Sequence, residues 1–431
     1  MSNTISEGKR EAISAAVGRS VREMSVYDIH THLYDPAFGE LLLWGIDDQL
    51  VYHYLVAEAF RHFDIGYDYF WRLAKEDQAQ MIWDALFVKN SPLSEACRGV
   101  LTVLNRLGLD ANQRDLPSIR QWFAEQDPNE YITRCMELAK VNTICMTNSP
   151  FDALETPKWD AGFDRDERFT SALRIDPLLL EWDSVAPQLA AAGYEMQADF
   201  SGKTMVEVQR FLRDWAERMD ALYVMVSLPP TFEYPADTQC SKLIDGAILP
   251  FCRESGLAFA LMIGVKRGVN AAMQLAGDGI GKPSLIGLEN LCSGHPDNKF
   301  LCTVLSRESQ HELCVIARKF RNLHIFGCWW FTNIPSVIEE MTRMRLDLVG
   351  MSFTAQHSDA RVLDQIIYKW DHSREIIAGV LTEKYLNLAA TGWEPSEAEI
   401  QRDVDGLFGG SFSRFLGLLT PRLAKRLAKA T

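Results

Sequence analysis

The chain has 431 residues, of which 47% are hydrophobic and 24% charged, a composition typical of a folded globular protein. Its formal net charge is −14, so electrostatic repulsion disfavours nucleic acid and anionic membranes as partners. The nine cysteines are scattered without a Cys-x-x-Cys pair, which indicates reduced thiols in a cytoplasmic protein. No segment reaches the roughly 18 apolar residues of a membrane helix, and the charged N-terminal segment lacks the apolar core of a signal peptide.

Short apolar segments alternate with longer segments of helical periodicity, which is the pattern of parallel strands joined by crossover helices. We count eight such strands, at 26–32, 142–148, 169–175, 222–228, 257–265, 299–306, 322–331 and 346–353. They are apolar on both faces, as expected for strands between an inner core and an outer layer of helices. Eight such units predict an α/β fold of the TIM-type (β/α)8 barrel class.

More than 100 residues separate the first two strands, where a barrel needs one helix, so we expect an inserted helical subdomain at about 40–135. Within it, the segment 45–63 begins with aspartates suited to a helix N-terminus, and the segment 91–110 has Pro near its start and Gly near its end. We expect the whole chain to form one domain, with terminal helices after about residue 375. The basic segment 420–430 fits the solvated face of a last helix.

The first predicted strand ends in His30 and His32. Residues two apart on a strand point to the same side, and catalytic side chains of such barrels lie at the C-terminal ends of strands. Neutral imidazole binds Zn²⁺ and related ions, so this pair predicts a metal site, although it could instead only bind loop backbone. Asp359 follows the eighth strand, which neighbours the first in a closed barrel. It is therefore a candidate third ligand, with the N-cap of the next helix as the alternative.

Two arginines are candidates for binding an anionic substrate. Arg174 ends the third strand and Arg361 follows the eighth, and a guanidinium offers a planar fork to a carboxylate. Either arginine could instead form a salt bridge with a neighbouring Asp. Near the sixth strand, Arg307 receives no role, and His311 could reach the barrel mouth from the first turn of its helix.

Three further residues carry aromatic or imidazole rings near the expected site. His53 and Tyr54 project about 100° apart on their predicted helix, so both face a site only from its flank or its first turn. Trp330 lies in "CWWF" and could form a wall for a sugar ring. For all three, packing in the core is the alternative.

Five motifs occur in an order that resembles a known family. "DIHTHL" (28–33), "YHY" (52–54), "ALRIDP" (172–177), "CWWF" (328–331) and "DAR" (359–361) resemble the uronate isomerases, or glucuronate isomerases, of the amidohydrolase superfamily. The likeness is greatest to a subgroup with stretches of the "ACRGVL", "MIGVK" and "QHSDAR" type. The resemblance implies a distorted barrel, one divalent metal, usually Zn²⁺, and interconversion of D-glucuronate with D-fructuronate and of D-galacturonate with D-tagaturonate.

Carried over by position, the resemblance implies metal ligands His30, His32 and Asp359 and substrate residues His53, Tyr54, Arg174, Trp330 and Arg361. Our hypothesis, consistent with the resemblance, is that Asp359, alone or through a metal-bound water, takes the C5 hydroxyl proton and opens the ring, and that Tyr54 then moves the proton from C2 to C1. The metal and Arg361 would stabilise oxyanion charge while Arg174 binds the carboxylate. We expect a sugar acid as the partner and a homo-oligomer as the assembly.

The sequence departs from the family pattern at two places. Met262 stands at the end of strand five where other members have His in a Q-x-H-I-G-x-x-R pattern, and a thioether is a poor zinc ligand. The metal is therefore expected to have three protein ligands. The Asp-His pair that some members carry after strand four is replaced by "SLPPTF" at 227–232.

Two other functions remain open. A mononuclear metal-dependent hydrolase would use the same fold, but "VSL" (226–228), Met262 and "LSR" (305–307) stand where binuclear hydrolases carry a bridging Lys and further histidines. A non-catalytic sugar-acid-binding paralogue is disfavoured because the candidate catalytic residues are all present.

Overall fold

The computed structural model describes residues 5–418, and in that part no helix is both long and apolar enough to span a bilayer. The strands are β1 Val26–Thr31, β2 Val141–Asn148, β3 Phe169–Arg174, β4 Ala221–Leu228, β5 Ala258–Ile263, β6 Phe300–Val304, β7 Leu323–Phe326 and β8 Phe353–Thr354. Each strand pairs in parallel with the next, in the order β1 to β8. The predicted (β/α)8 arrangement is therefore confirmed.

Helices surround this sheet and fill the long segment between β1 and β2. The α-helices are α1 Glu7–Glu23, α2 Ile46–Leu50, α3 His53–Ala59, α4 Tyr67–Trp71, α5 Lys75–Trp83, α6 Glu95–Leu107, α7 Leu116–Ala124, α8 Pro128–Ala139, α9 Thr156–Ala161, α10 Asp176–Leu180, α11 Trp182–Ala191, α12 Thr204–Met219, α13 Gln239–Leu243, α14 Leu249–Ser255, α15 Ile286–Gly294, α16 Gln310–Ala317, α17 Pro335–Val349, α18 Gln365–Ala390, α19 Glu397–Asp405 and α20 Ser411–Leu416. A two-stranded antiparallel ribbon pairs Val265–Lys266 with Gly279–Ile280. The predicted helix at 420–430 lies outside the described residues, and the division into domains stays a prediction.

The eighth strand is shorter than its apolar pattern indicates. Only Phe353–Thr354 pairs with β7, and the residues up to Val349 form the end of α17. The helix stops at Gly350, whose φ of 62° is readily adopted by glycine. The prediction of a strand from 346 was wrong because a short apolar segment on a packed helix has the same composition as a buried strand.

The first inserted helix is broken where the sequence predicts a continuous one. The chain leaves the helical conformation at Tyr52, whose ψ is 142°, and α3 begins at His53. The break puts His53 and Tyr54 in the first turn of a helix, which is one of the two placements that allow both rings to face a site. By contrast, α6 begins and ends as predicted, with Ser94 accepting from the Cys97 N–H and with Gly108 at φ 83°.

The barrel closes irregularly between β1 and β8. In the described chain no backbone hydrogen bonds of a β-ladder join these two strands. Instead, the Asp359 N–H donates to the His30 carbonyl at 3.2 Å, and the His32 N–H donates to the Ala360 carbonyl at 2.7 Å. The segment after β8 therefore replaces the missing ladder at the C-terminal end of β1, and the barrel is distorted at this seam.

Deeper in the seam, a buried carboxylate holds the same segment in place. Asp28 of β1 accepts hydrogen bonds from the Ser358 N–H at 2.9 Å and from Trp370 Nε1–H at 2.8 Å. The Ala355 N–H donates to the carbonyl of Leu407 in the π-helical segment Gly406–Gly410, which covers the gap between β1 and β8. Asp28 and this segment together fix the path of the chain that leads to Asp359.

Candidate active site

Three side chains converge at the C-terminal mouth of the barrel, where β1 meets the segment after β8. Their ligand atoms, from His30, His32 and Asp359, all lie within 4.8 Å of one another. His30 Nε2 lies 3.7 Å and His32 Nε2 lies 3.4 Å from Asp359 Oδ1. The three ligands predicted from the sequence are thus brought together in one cluster.

Hydroxyl groups behind the two imidazoles fix which nitrogen faces the cluster. His30 Nδ1 lies 3.3 Å from the Tyr223 hydroxyl, which donates its own proton to the Ile29 carbonyl. His32 Nδ1 lies 3.0 Å from the Thr147 hydroxyl, which donates to the Thr31 carbonyl. Because both hydroxyl protons are engaged, each oxygen accepts from an Nδ1–H. Each Nε2 lone pair is then left facing Asp359, as in histidine metal ligands with an outer hydrogen-bond partner.

The electrostatics of the cluster also fit a cation. Burial lowers the pKa of His30 and of His32, so both imidazoles are neutral near pH 7. Burial raises the pKa of Asp359, but His32 and the charge of Lys369 outweigh it, and the net pKa is well below the ordinary value. Neither His30 Nε2 nor Asp359 Oδ1 has a hydrogen-bond partner in the described part of the chain. A buried carboxylate and two lone pairs that face each other need a shared cation, so the residues fit one divalent metal.

Met262 stands on β5 at the position where the resemblance leads to the expectation of a histidine. It is buried on β5, where it pairs with Ser227 of β4 and Thr303 of β6. Among the described residues, the cluster of potential metal ligands consists of His30, His32 and Asp359. Three protein ligands with a further position for water or substrate are typical of catalytic metal sites, and the ligand number stays a prediction.

Two adjoining cavities open at the barrel mouth. The inner cavity has a volume of about 140 Å³ and is lined by the metal cluster together with Tyr52, His53, Trp329 and Trp330. The outer cavity has a volume of about 590 Å³ and extends towards Phe151, Glu155 and Glu181. His32, Arg174, Ser227, Arg267 and Arg361 line both cavities and so mark their junction.

The three arginines at the junction differ in their partners. Arg174 forms a bidentate pair with Asp176, at 3.0 Å from Nε and 2.9 Å from Nη2. Arg267, in the turn directly after the first strand of the ribbon, is paired with Asp278. Within the described chain the Arg361 side chain has no ion pair. Arg174 is therefore salt-bridged and also faces the cavity, so a structural ion pair and substrate binding are compatible for it. Arg361 is the arginine left free to bind an anion.

The rings predicted near the site divide between two places. His53 and Trp330 line the inner cavity, with ring centroids 5.3 Å apart. Burial lowers the pKa of His53 to about 3, so its imidazole is neutral. Tyr54 instead faces a small pocket next to Tyr368, away from both cavities. Tyr52 is the tyrosine that lines the inner cavity.

Two residues of the site have backbone conformations that their side chains disfavour. Trp330 has φ 47° and Asp359 has φ 52°, both in the left-handed region. Such conformations cost about 1–3 kcal/mol each and persist where the surrounding structure holds them. Both residues follow the C-terminal end of a strand, and both side chains face the inner cavity. Local strain and the candidate site therefore coincide.

Sequence reasoning missed four residues around the cluster. Tyr52 and Arg267 line cavities, although Tyr52 was part of the "YHY" motif and Arg267 matches the last position of the Q-x-H-I-G-x-x-R pattern. His357 lies beneath the cluster, with its ring 5.2 Å from that of His30. Lys369 is buried with Nζ 5.4 Å from the ring centroid of Tyr54. His357 belongs to the "QHSDAR" stretch, which could have drawn attention to it, whereas Lys369 carries no sequence signal because a single buried Lys in a helix shows no distinctive spacing.

The two residues near β6 that the sequence analysis singled out, His311 and Arg307, lie outside the site. His311 is exposed on α16 and lines neither cavity. Arg307 is exposed and paired with Glu340 at 2.7 Å. The structure therefore does not bring either residue to the barrel mouth.

Several solved structures match nearly the whole chain, among them three isomerases. A uronate isomerase from Bacillus halodurans is 50% identical, with a TM-score of 0.94 over 96% of this chain and 98% of that chain. A glucuronate isomerase from Caulobacter crescentus is 14% identical, with a TM-score of 0.76 and 96% coverage of both chains. A uronate isomerase from Thermotoga maritima is 15% identical, with a TM-score of 0.74 over 96% of this chain and 100% of that chain. No family model and no curated protein matches the chain.

The distorted barrel, with two histidines ending β1 and an aspartate after β8, defines an enzyme fold of the amidohydrolase superfamily. The two low-identity matches share this fold. Because the 50% identity extends over nearly the full length of both chains, the chain belongs to the uronate isomerase family.

Proposed function

We propose that this protein isomerises a hexuronate between its aldose and ketose forms, D-glucuronate to D-fructuronate or D-galacturonate to D-tagaturonate. Membership of the uronate isomerase family supports this function. The observation that carries it is the placement of the metal cluster beside Arg174 and Arg361 in one cavity, because a uronate offers hydroxyl groups to a metal and a carboxylate to arginines.

We propose Zn²⁺ as the metal, held by His30, His32 and Asp359. Two imidazoles and one carboxylate are a donor set that zinc accepts, and open coordination positions are typical of catalytic zinc. When bound, the metal supplies Lewis-acid stabilisation of negative charge on sugar oxygens. The hydrogen bonds to Tyr223 and Thr147 hold the two imidazoles in the required tautomer.

The net reaction moves a hydrogen from C2 to C1 and a hydroxyl proton from O2 to O1. Ring opening of the cyclic hemiacetal breaks C1–O5, removes the proton of the O1 hydroxyl and adds a proton to O5. Asp359 is proposed to carry this proton from O1 to O5, since its low pKa keeps it ionised beforehand. The proposed shuttle between C2 and C1 is Tyr54, and the position of Tyr52 in the inner cavity makes it the competing candidate. Burial raises the pKa of both phenols well above the ordinary value, so each starts protonated. The shuttle therefore gives its own proton to O1 of the open-chain aldehyde as it takes the C2 proton, and it regains a proton from O2 as it delivers the C2 proton to C1.

The remaining residues bind and orient the sugar. Arg174 is the proposed partner of the carboxylate, because its pairing with Asp176 fixes the direction of its guanidinium. Arg361 is proposed to stabilise the oxyanion that develops in the enediol intermediate. Neutral His53 is suited to hydrogen-bond a sugar hydroxyl, and Trp330 offers its ring to a sugar face.

Proton NMR in D₂O tests this function directly. The purified protein is loaded with Zn²⁺ and incubated separately with D-glucuronate and D-galacturonate. Isomerisation predicts ketose signals, with any exchange of the transferred proton appearing as deuterium at C1. No ketose from either uronate would contradict the proposal.

Assembly and location are further proposals. We propose a homo-oligomer and a cytoplasmic location. The location is supported by the nine cysteines, which are all free thiols in the structure.

A further inference from the structure

The outer cavity is larger than a single uronate requires. It has about 590 Å³, against about 140 Å³ for the inner cavity that holds the cluster and the aromatic residues. Sites that enclose drug-sized ligands have roughly 300–1,000 Å³. A hexuronate in the inner cavity and its junction would leave most of the outer cavity to another group.

The junction determines which end of the sugar faces outward, if the proposed function holds. Arg174 and Arg361 line both cavities, so a carboxylate bound there has the sugar's carbonyl end in the inner cavity beside Tyr52 and His53. C4 is two bonds from the carboxylate carbon, so O4 lies at the same outward end of the sugar. A substituent on O4 would extend into the outer cavity without displacing C1 or C2.

Away from the arginines at the junction, the wall of the outer cavity carries acidic side chains. Asp152, Glu155 and Glu181 line it, and in the described chain none of the three pairs with Lys or Arg. Glu155 is buried and held by hydrogen bonds from the Tyr34 hydroxyl at 2.8 Å and from Asn148 Nδ2 at 3.0 Å. Carboxylates accept hydrogen bonds from sugar hydroxyls but repel a second carboxylate.

Apolar side chains on the same wall complement these carboxylates. Phe151 and Leu180 line the outer cavity, and 46% of the Leu180 surface is exposed. Together they offer an apolar surface to the C–H face of a sugar ring.

We propose that the outer cavity binds an uncharged glycosyl group attached to O4 of the uronate. The enzyme then isomerises the reducing-end uronate of a disaccharide. The glycosidic bond at O4 stays intact, and the hydrogen moves from C2 to C1 as in the free sugar, so no co-reactant is needed.

Two pairs of substrates test this proposal in the zinc-loaded enzyme. The first pair is 4-O-β-D-glucosyl-D-glucuronate and D-glucuronate, and the second is 4-O-α-D-galacturonosyl-D-galacturonate and D-galacturonate. We expect kcat/KM of the glucosyl-uronate to lie within about tenfold of that of its monosaccharide. We expect the diuronate to fall at least about tenfold below its own monosaccharide, because its second carboxylate meets the acidic wall.

A charge reversal at Glu181 tests whether the acidic wall of the outer cavity, and not some other property of the diuronate, lowers its kcat/KM. Glu181→Lys should raise kcat/KM of the diuronate relative to galacturonate by about threefold to fivefold, the size of a partly exposed charge interaction. Glu11→Lys, at an exposed residue of α1 outside both cavities, should leave this ratio unchanged.

The failures of the two proposals are distinguishable. The outer-cavity proposal alone is overturned if the enzyme turns over free uronates but neither isomerises the glucosyl-uronate nor is inhibited by it at a hundredfold higher concentration than the free uronate. No effect of Glu181→Lys on the diuronate ratio contradicts the acidic wall. No turnover of any uronate overturns the proposed function and this inference with it.

Discussion

Asp359 and His30 are joined twice: the Asp359 N–H donates to the His30 carbonyl at 3.2 Å, and Asp359 Oδ1 lies 3.7 Å from His30 Nε2. The hydrogen bond closes the barrel between β1 and the segment after β8, and the side chains form part of the metal cluster. Closure of the fold and placement of the ligands therefore depend on the same few residues. A change in the path of residues 357–360 would displace a ligand as well as open the seam.

The hydroxyl behind His32 should tune metal affinity. Thr147→Val removes the acceptor for His32 Nδ1–H while keeping the shape of the side chain. Loss of such an outer partner typically weakens metal binding about tenfold to a hundredfold. Competition with a chromophoric chelator measures the Zn²⁺ Kd. Thr391→Val, at an exposed threonine after α18, serves as the control, and equal Kd values in both variants would contradict the assigned tautomer.

The affinity for Zn²⁺ should change little between pH 7 and pH 5.5. Burial holds the pKa values of His30 and His32 below the ordinary 6.5, so protons compete with the metal only at a lower pH than for exposed histidines. An exposed pair of histidines would lose about tenfold or more in affinity over that range, because protons compete below their pKa. We expect the Zn²⁺ Kd to change less than about threefold between pH 7 and 5.5. A tenfold rise in Kd by pH 5.5 would contradict the depressed pKa values.

Two tyrosine variants decide which phenol moves the proton. If Tyr54 is the shuttle, Tyr54→Phe should lower kcat by about 10² to 10⁴ while Tyr52→Phe has a small effect. The opposite result would assign the shuttle to Tyr52, which lines the inner cavity. Each variant is the matched control for the other, since both phenols are buried two residues apart. Full turnover by both variants would exclude a tyrosine shuttle.

Arg361 should contribute strongly to substrate binding or oxyanion stabilisation. Its guanidinium lines both cavities and has no ion pair in residues 5–418, so it is available to substrate. Arg361→Met should lower kcat/KM by about tenfold to a hundredfold, the usual loss for one charged hydrogen bond. Arg307→Met, which removes an exposed arginine paired with Glu340, should leave kcat/KM within about twofold. Steady-state kinetics with the preferred uronate measures both.

The barrel could be predicted from the sequence because seven of its strands are continuous apolar segments between helical patterns. The predicted eighth strand begins too early, since Leu346, Leu348 and Val349 belong to the last turn of α17, and a short apolar segment at a helix end has the composition of a buried strand. The break at Tyr52 was missed because its position between α2 and α3 depends on tertiary contacts that local pattern does not contain.

The three metal ligands of the site could be predicted from the sequence, but most of the residues around them could not. His30, His32 and Asp359 could be placed because strand ends and barrel closure bring them together whatever the details of packing. Tyr223 and Thr147 also contact the cluster but are distant from all three ligands in sequence, whereas His357 precedes and Lys369 follows Asp359 closely along the chain, and both are brought next to the cluster by folding. Their positions follow from the packing of β2, β4 and α18 around β1, which no local pattern specifies.

The most direct test of the central claim is the initial rate of ketose formation from the preferred uronate by the zinc-loaded protein and by Asp359→Asn. The variant keeps the backbone hydrogen bond to His30 but removes the carboxylate that completes the cluster. The account predicts ketose formation by the first protein, and in the variant a loss of at least about 10² in rate, with weaker Zn²⁺ binding and an unchanged circular dichroism spectrum. Equal rates in the two proteins would contradict it.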